Sequence, residues 1–179
     1  TGRKPSKNRI AETFEFFPEE GKYHLDGHAK CQQRLTPAQT KKHGGVCPVC
    51  KKPVTVGVLS RVEKLADRPV DYQPTKRPPY RTLVPLEETI GEAMDVGPAS
   101  KKVQLVYEKL VKELNGEFNV LLETPLPDIA THGGEDVSEA IKRVRTGKLH
   151  IAAGYDGEFG TVHIFKPGER KQQKQTALF

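Results

Sequence analysis

The sequence predicts an α+β fold in two parts, a small module of strands and turns followed by a helical domain that ends in a β-hairpin. Three observations carry this reading. The first is the pattern His28-x2-Cys31, a gap of 15 residues, then Cys47-x2-Cys50, which is the ligand spacing of a structural zinc site. The second is a run of apolar residues at helical spacing from Leu86 to Val144. The third is a pair of short segments, LHIAA and TVHIF, around a turn containing Asp156-Gly157, a hairpin signal set in a longer loop. Only 35% of the 179 residues are hydrophobic and Trp is absent, so small units with an added staple fit better than one large core.

The opening residues 1–11 read as a linker, and residues 12–68 as a zinc-ribbon-like, zinc-binding module. Zinc takes four tetrahedral nitrogen or sulfur donors, and each two-residue spacer lets a pair grip the ion from a tight knuckle. Cys31, Cys47 and Cys50 with His28 make one such site, and three cysteines cannot all pair with one another. His24 and His43 are rival fourth ligands without the two-residue spacing to a cysteine. After the second knuckle, Val54, Val56 and Val58 alternate as in a strand, giving way to a short polar helix or turn before Pro69.

Residues 69–85 hold five prolines and read as an extended basic connector. Lys76, Arg77 and Arg81 alternate there with Tyr72 and Tyr80, a mixture able to meet phosphates and stack on bases or simply to stay solvated. The helical domain with its hairpin spans 86–165. Pro85 opens a first helix carrying Leu86, Ile90 and Met94. Ser100 is the N-cap of a second, with Val103, Val106, Tyr107, Leu110, Val111 and Leu114 on one face and Asn115-Gly116 as its stop. Phe118, Leu121 and Leu122 suggest a third short helix, Pro125 or Pro127 a turn reaching Ile129, and Val137, Ile141 and Val144 a last helix ended by Gly147.

Two further stretches point outward. The corner AMDVGPASKKV is similar to the turn of helix-hairpin-helix elements, with Gly97 in place and Lys101 and Lys102 in the following turn. A glycine turn at a helix N-terminus offers free N–H groups to a phosphate, although Asp95 would repel one. The tail, residues 166–179, is basic and polar until Leu178-Phe179. Its last five residues, QTALF, resemble the pentapeptide that binds the bacterial sliding clamp, with Gln175, Leu178 and Phe179 matching and Thr176 standing where Leu is usual.

The charge of +6 gathers in the N-terminal linker, the connector, the second helix start and the tail, which favours nucleic acid as a partner. No stretch approaches the ~18 apolar residues of a membrane span, and no secretory leader pattern occurs. Thr1 is not an initiator Met, so a trimmed chain with further motifs upstream is expected. Thiols kept for a metal and a clamp-type tail both suggest the bacterial cytoplasm.

Several stretches together resemble one family. TFEFFPEEGKYHLDGHAKC, CPVCKKPVTVGVLSRVEKLADRP, LVPLEETIGEAM and GYDGEFGTVHIF look like the C-terminal half of the endonuclease Q family of PHP-domain DNA repair proteins, often labelled helicase-like. The resemblance covers nearly the whole chain. It implies an N-terminal metal-dependent PHP nuclease domain, a zinc-binding domain and a helical C-terminal domain. It also implies cleavage of DNA 5′ to a deaminated or abasic site, with a clamp-binding tail in some members. The six histidines here are scattered and form no His-x-His pair, so this chain alone is not expected to hold the nuclease metals, and without them no water is activated.

What remains is a part that holds DNA and helps receive an extruded base. Candidate contacts are Phe16, Phe17, Glu20, Lys22, Tyr23 and His24, with Arg61 and Arg68. Aromatic rings stack on an unpaired base, a carboxylate reads its edge, and arginines fix flanking phosphates. Phe14, Phe16 and Phe17 serve equally well as the small core of the zinc module. Two other classes compete with this reading. One is a non-catalytic zinc-ribbon adaptor linking some DNA-processing enzyme to the clamp. The other is an independent hydrolase using Glu19, Glu20 and Asp26 around a metal.

Overall fold

The computed structural model describes residues 10–69, 72–74 and 77–169. Among these the chain forms β1 (Thr13–Glu15), β2 (Asp26–His28), β3 (Gln33–Leu35), α1 (Pro37–Lys42) and α2 (Val58–Leu65). It continues through β4 (Tyr80–Thr82), α3 (Leu86–Met94), α4 (Lys101–Glu113), α5 (Glu117–Leu122), α6 (Leu126–Gly133) and α7 (Glu135–Arg145). The last elements are β5 (His150–Ala152) and β6 (Thr161–His163). The α+β architecture expected from the sequence is present. No described helix is long and apolar enough to cross a membrane.

Local signals explain the helical part. Ser100 Oγ accepts from Val103 N at 3.3 Å and so caps α4, while Asn115 and Gly116 take positive φ to end it. Asp95, not Gly97, adopts the left-handed conformation after α3. Leu86, Ile90, Val103, Leu110, Val120, Ile129 and Ile141 are fully buried in one cluster. Each contributes about 1.5–3 kcal/mol through loss of apolar surface to water. Charged side chains close the helix ends. Glu117 accepts from Leu86 N at 3.1 Å and from Tyr107 Oη at 3.0 Å, joining the starts of α3 and α5 to α4. Arg145 donates to the carbonyls of Val120 and Leu121 at the end of α5.

The metal module is small. Leu35, Cys47 and Val54 are its buried apolar residues, with Cys31 against them. The phenylalanines are not this core, which corrects one sequence expectation. Phe17 packs on the helical cluster, Phe14 lies against Phe118 with centroids 5.2 Å apart, and Phe16 is 69% exposed. The reason is strand pairing: β1 runs parallel to β4, with Phe14 opposite Arg81, and this carries the aromatic segment toward α5. A strand thus forms at the end of the proline-rich stretch, where little regular structure was expected.

The valine strand is the second correction. Residues 53–55 make only isolated bridges, Val46 to Pro53 and Gly27 to Thr55, and α2 already begins at Val58. Asp26 decides this. Its carboxylate is buried and accepts from Gly57 N at 2.6 Å and from Ser60 Oγ at 2.7 and 2.8 Å, which caps the helix from another element.

The hairpin joins the two parts. At its base, Glu92 of α3 accepts from Ile164 N and Phe165 N at 2.7 and 2.8 Å, and Ile164 is buried in the helical core. At its tip, Gly154, Gly157 and Gly160 donate to the carbonyls of Glu19, Lys22 and Glu20, while Leu25 N donates to Gly154 O. A side chain at Gly154 or Gly160 would strike the backbone of residues 19–21. Glycine is required there by close approach.

Candidate metal centre

Four donors meet where β2, the turn after it and the second knuckle converge. His28 ends β2, and Cys31 ends a 3₁₀ turn over Ala29–Cys31. Gln32, in the left-handed region at φ 52°, turns the chain back into β3. Cys47 N donates to Lys52 O at 2.8 Å and Lys51 N to Cys47 O at 2.9 Å, closing the second knuckle. The ligand atoms of His28, Cys31, Cys47 and Cys50 all lie within 4.8 Å of one another. Cys50 Sγ stands 3.6 Å from His28 Nδ1. Among the described residues this is the one cluster of its kind able to hold a metal ion.

The donor set fits such an ion. Burial pushes the Cys31 thiol up to about 11, helped by the neighbouring sulfurs of Cys50 and Cys47. Burial also opposes ionisation of Cys47. The N–H groups of Cys50 and Val49 that point at its sulfur outweigh this and hold it below the ordinary thiol value. The fold thus favours ionisation of Cys47 over Cys31, and a bound cation would favour the thiolate form of all three. His24 and His43 stand outside the cluster; His24 instead lends its carbonyl to Leu59 N.

The hairpin supplies an outer support that the sequence reading did not single out. Asp156 accepts from Ala29 N at 2.6 Å and from the Thr55 hydroxyl. Hydrogen bonds from Thr55 and Ala29 hold its carboxyl below the usual carboxylate range. It grips the residue after one ligand and the strand-like segment beyond the second knuckle. Its only sequence signal was a turn, because its partners lie 127 and 101 residues away.

The remaining candidates fall in several places. Lys22, Tyr23 and His24 adjoin the start of α2, since the carbonyls of Tyr23 and His24 accept from Val58 N and Leu59 N. Lys22 Nζ lies 4.4 Å above the Phe159 ring, and Tyr23 is 52% exposed. Arg61 is exposed on α2; Arg68 pairs with Asp67 at 3.6 Å and lies over Tyr72. The carbonyl of Glu20 accepts from the hairpin. Gly97, Lys101 and Lys102 are exposed at the α3–α4 corner of the helical domain. Gln175, Leu178 and Phe179 lie outside the described residues. Asp26-Gly27-His28 has the spacing of a carboxylate–imidazole metal pair, but Asp26 is committed to α2. That leaves the acids Glu19, Glu20 and Asp26 without a shared metal site.

A Cys3His cluster on a small ribbon, tied by a hairpin to a helical domain, defines the class of protein. The family model for the MJ0043 C-terminal domain matches residues 85–148. An uncharacterized Methanocaldococcus jannaschii protein, MJ0043, is 36% identical over 160 residues, covering 89% of this chain and 20% of its own. YqxK of Bacillus subtilis, also uncharacterized, is 29% identical over 143 residues, covering 79% and 33%. Two solved structures are similar. One is the lesion-specific endonuclease Q of Pyrococcus furiosus, with a TM-score of 0.77 and 30% identity over 95% of this chain and 43% of that one. The other is an endonuclease Q complex with a 27-mer duplex substrate bearing an abasic lesion, with a TM-score of 0.73 and 32% identity over 90% and 40%. The chain is thus similar to endonuclease Q structures over nine-tenths or more of its length, and residues 85–148 match the MJ0043 C-terminal domain family. It spans a fifth to a third of the curated relatives and about two-fifths of the solved chains.

Proposed function

We propose that this chain is the DNA-binding, zinc-containing C-terminal part of an endonuclease Q-like repair protein acting on deaminated or abasic DNA. The phosphodiester chemistry belongs to a PHP nuclease domain of the whole protein. The observation that carries this reading is the likeness to an endonuclease Q solved on an abasic duplex, reinforced by the four-donor cluster. Four protein ligands leave no open position for water, so zinc here is structural and its work is to fix the knuckles. The tail residues Gln175, Leu178 and Phe179 attach the protein to the sliding clamp, and the compartment is the cytoplasm.

The test is binding of the metal-loaded chain to a fluorescent duplex with one abasic analogue, beside the undamaged duplex. Binding that weakens with rising salt is expected. Absence of binding to either duplex at low salt overturns the DNA reading. If clamp binding survives in that case, and is lost on deleting Gln175 to Phe179, the adaptor reading replaces it.

A further inference from the structure

Charge is divided unevenly between the two parts of the molecule. Between Gly21 and Arg68 there are ten Lys and Arg against three Asp and Glu, whereas residues 77–169 hold eleven against fifteen. Residues 21–68 therefore carry a balance of +7 and residues 77–169 one of −4, while the four acids Glu12, Glu15, Glu19 and Glu20 precede the basic stretch. From Gly27 to Val62 there is no Asp or Glu at all.

The fold concentrates part of this charge at one end of the module. Lys41 and Lys42 finish α1. Gly44 N donates to Lys41 O, and Val46 N to His43 O, so the chain turns directly from the helix into the second knuckle. There Val46 bridges to Pro53, Cys47 N donates to Lys52 O and Val54 N to Gly45 O. Lys52 is thereby paired with Cys47, in the turn that leaves α1 after Lys41 and Lys42. Lys51 takes the left-handed conformation at φ 61°, and its Nζ touches only a carbonyl, that of Pro48. All four lysines are exposed and none is in an ion pair among the described residues.

Two carboxylates near the module are already engaged, while Glu63 stands exposed on α2, which touches α1. Asp156, from the hairpin, is held by Thr55 and Ala29, and Asp26 is buried against α2. Three thiolates and a neutral imidazole around a divalent ion would add one negative charge, outweighed by these lysines. The knuckle between them also exposes Val49, 63% accessible.

We infer that this end of the metal module, through Lys41, Lys42, Lys51 and Lys52, is the surface that rides on DNA backbone phosphates. The inference rests on the DNA reading above and assigns its electrostatic footing to the knuckle, away from the acidic helical domain. Compact ammonium groups in a stretch of sequence without carboxylates suit sequence-independent contact to phosphates. The four lysines are distinct from the base-contact candidates Phe16, Phe17, Tyr23 and Glu20.

The deciding experiment is the salt dependence of duplex binding by the metal-loaded chain. K41Q/K42Q/K51Q/K52Q should lower the slope of log affinity against log salt by about 2–4, at roughly 0.9 for each phosphate that is no longer neutralised. The pairs K41Q/K42Q and K51Q/K52Q should each remove about half of that. K109Q/K112Q, on exposed positions of α4, should keep the wild-type slope. Zinc content and thermal transition of each variant, equal to wild type, establish that the fold is intact. An unchanged slope in the quadruple variant, with wild-type binding present, overturns the inference and leaves the DNA reading standing. No binding by the wild type overturns both.

Discussion

Asp156, in the loop of the C-terminal hairpin, accepts a hydrogen bond from the main-chain N–H of Ala29, 2.6 Å away and 127 positions earlier in the chain. Ala29 follows His28, so the last described strands hold one side of the candidate metal site. Asp156→Ala removes a charged acceptor from two donors and should weaken the module by about 1–3 kcal/mol. A chelator-competition titration should then show zinc bound about tenfold or more less tightly. Affinity equal to wild type would mean that the hairpin is a passive neighbour.

Metal removal should act on one part of the molecule before the other. The module's buried apolar core is three residues, whereas the helical cluster holds sixteen. Wild type should carry about one zinc per chain. Cys47→Ser, which alters the fully buried ligand, should bring that near zero. Circular dichroism should keep most of its helical signal in the stripped protein, while protease nicking appears between β2 and α2. Simultaneous loss of all helix would show that the two parts fold as one unit.

The helical core should respond to truncation in the opposite way. Leu110 is fully buried where α4 packs against α6, so Leu110→Ala should cost about 2–5 kcal/mol. Urea denaturation measures this. Zinc stoichiometry should stay at the wild-type value, since none of the four donors belongs to this cluster.

Acid should loosen the far end of the hairpin. The Arg143 guanidinium, at 2.7 Å, and the Lys166 N–H hold the Glu169 carboxyl down to about 2. Its folded value lies below the ordinary carboxylate range of about 4.3. The stabilisation is therefore fully present above that range and is lost as pH falls through it toward 2. Glu169→Gln should flatten this limb of the stability curve while changing the metal-dependent transition little. A midpoint with the same acid slope in both proteins would rule the pair out as its source.

The main helices after Pro85 were legible because their causes are local, whereas α1, with its capping box between Thr36 and Gln39, was not singled out. Ser100 three residues before Val103, the repeat from Val103 to Leu114, and Asn115-Gly116 after it set α4 without help from elsewhere. The four metal donors were legible for a similar reason, since each knuckle is a short loop and His28-x2-Cys31 already fits its geometry. The strand expected through Val54, Val56 and Val58 failed because alternation says only that a segment suits a pleated surface. Asp26, a residue with no capping signal in the sequence, captured Gly57 N and Ser60 and started a helix instead. Phe17 could not be placed because its neighbour depends on β1 pairing with β4, 67 positions away in register.

By itself, then, the sequence determined most of the helical segments after Pro85, the four residues able to hold a metal and the two-part α+β character, all through contacts a few residues long or through spacing that a metal imposes. Tertiary structure alone decided that the hairpin is shared, its base in the helical core through Ile164 and its tip against the metal module through Asp156. It alone decided that residues 52–54 fold back on residues 45–47, just beyond Lys41 and Lys42. Those placements depend on which distant donors and acceptors become neighbours, and no local pattern of residues encodes that.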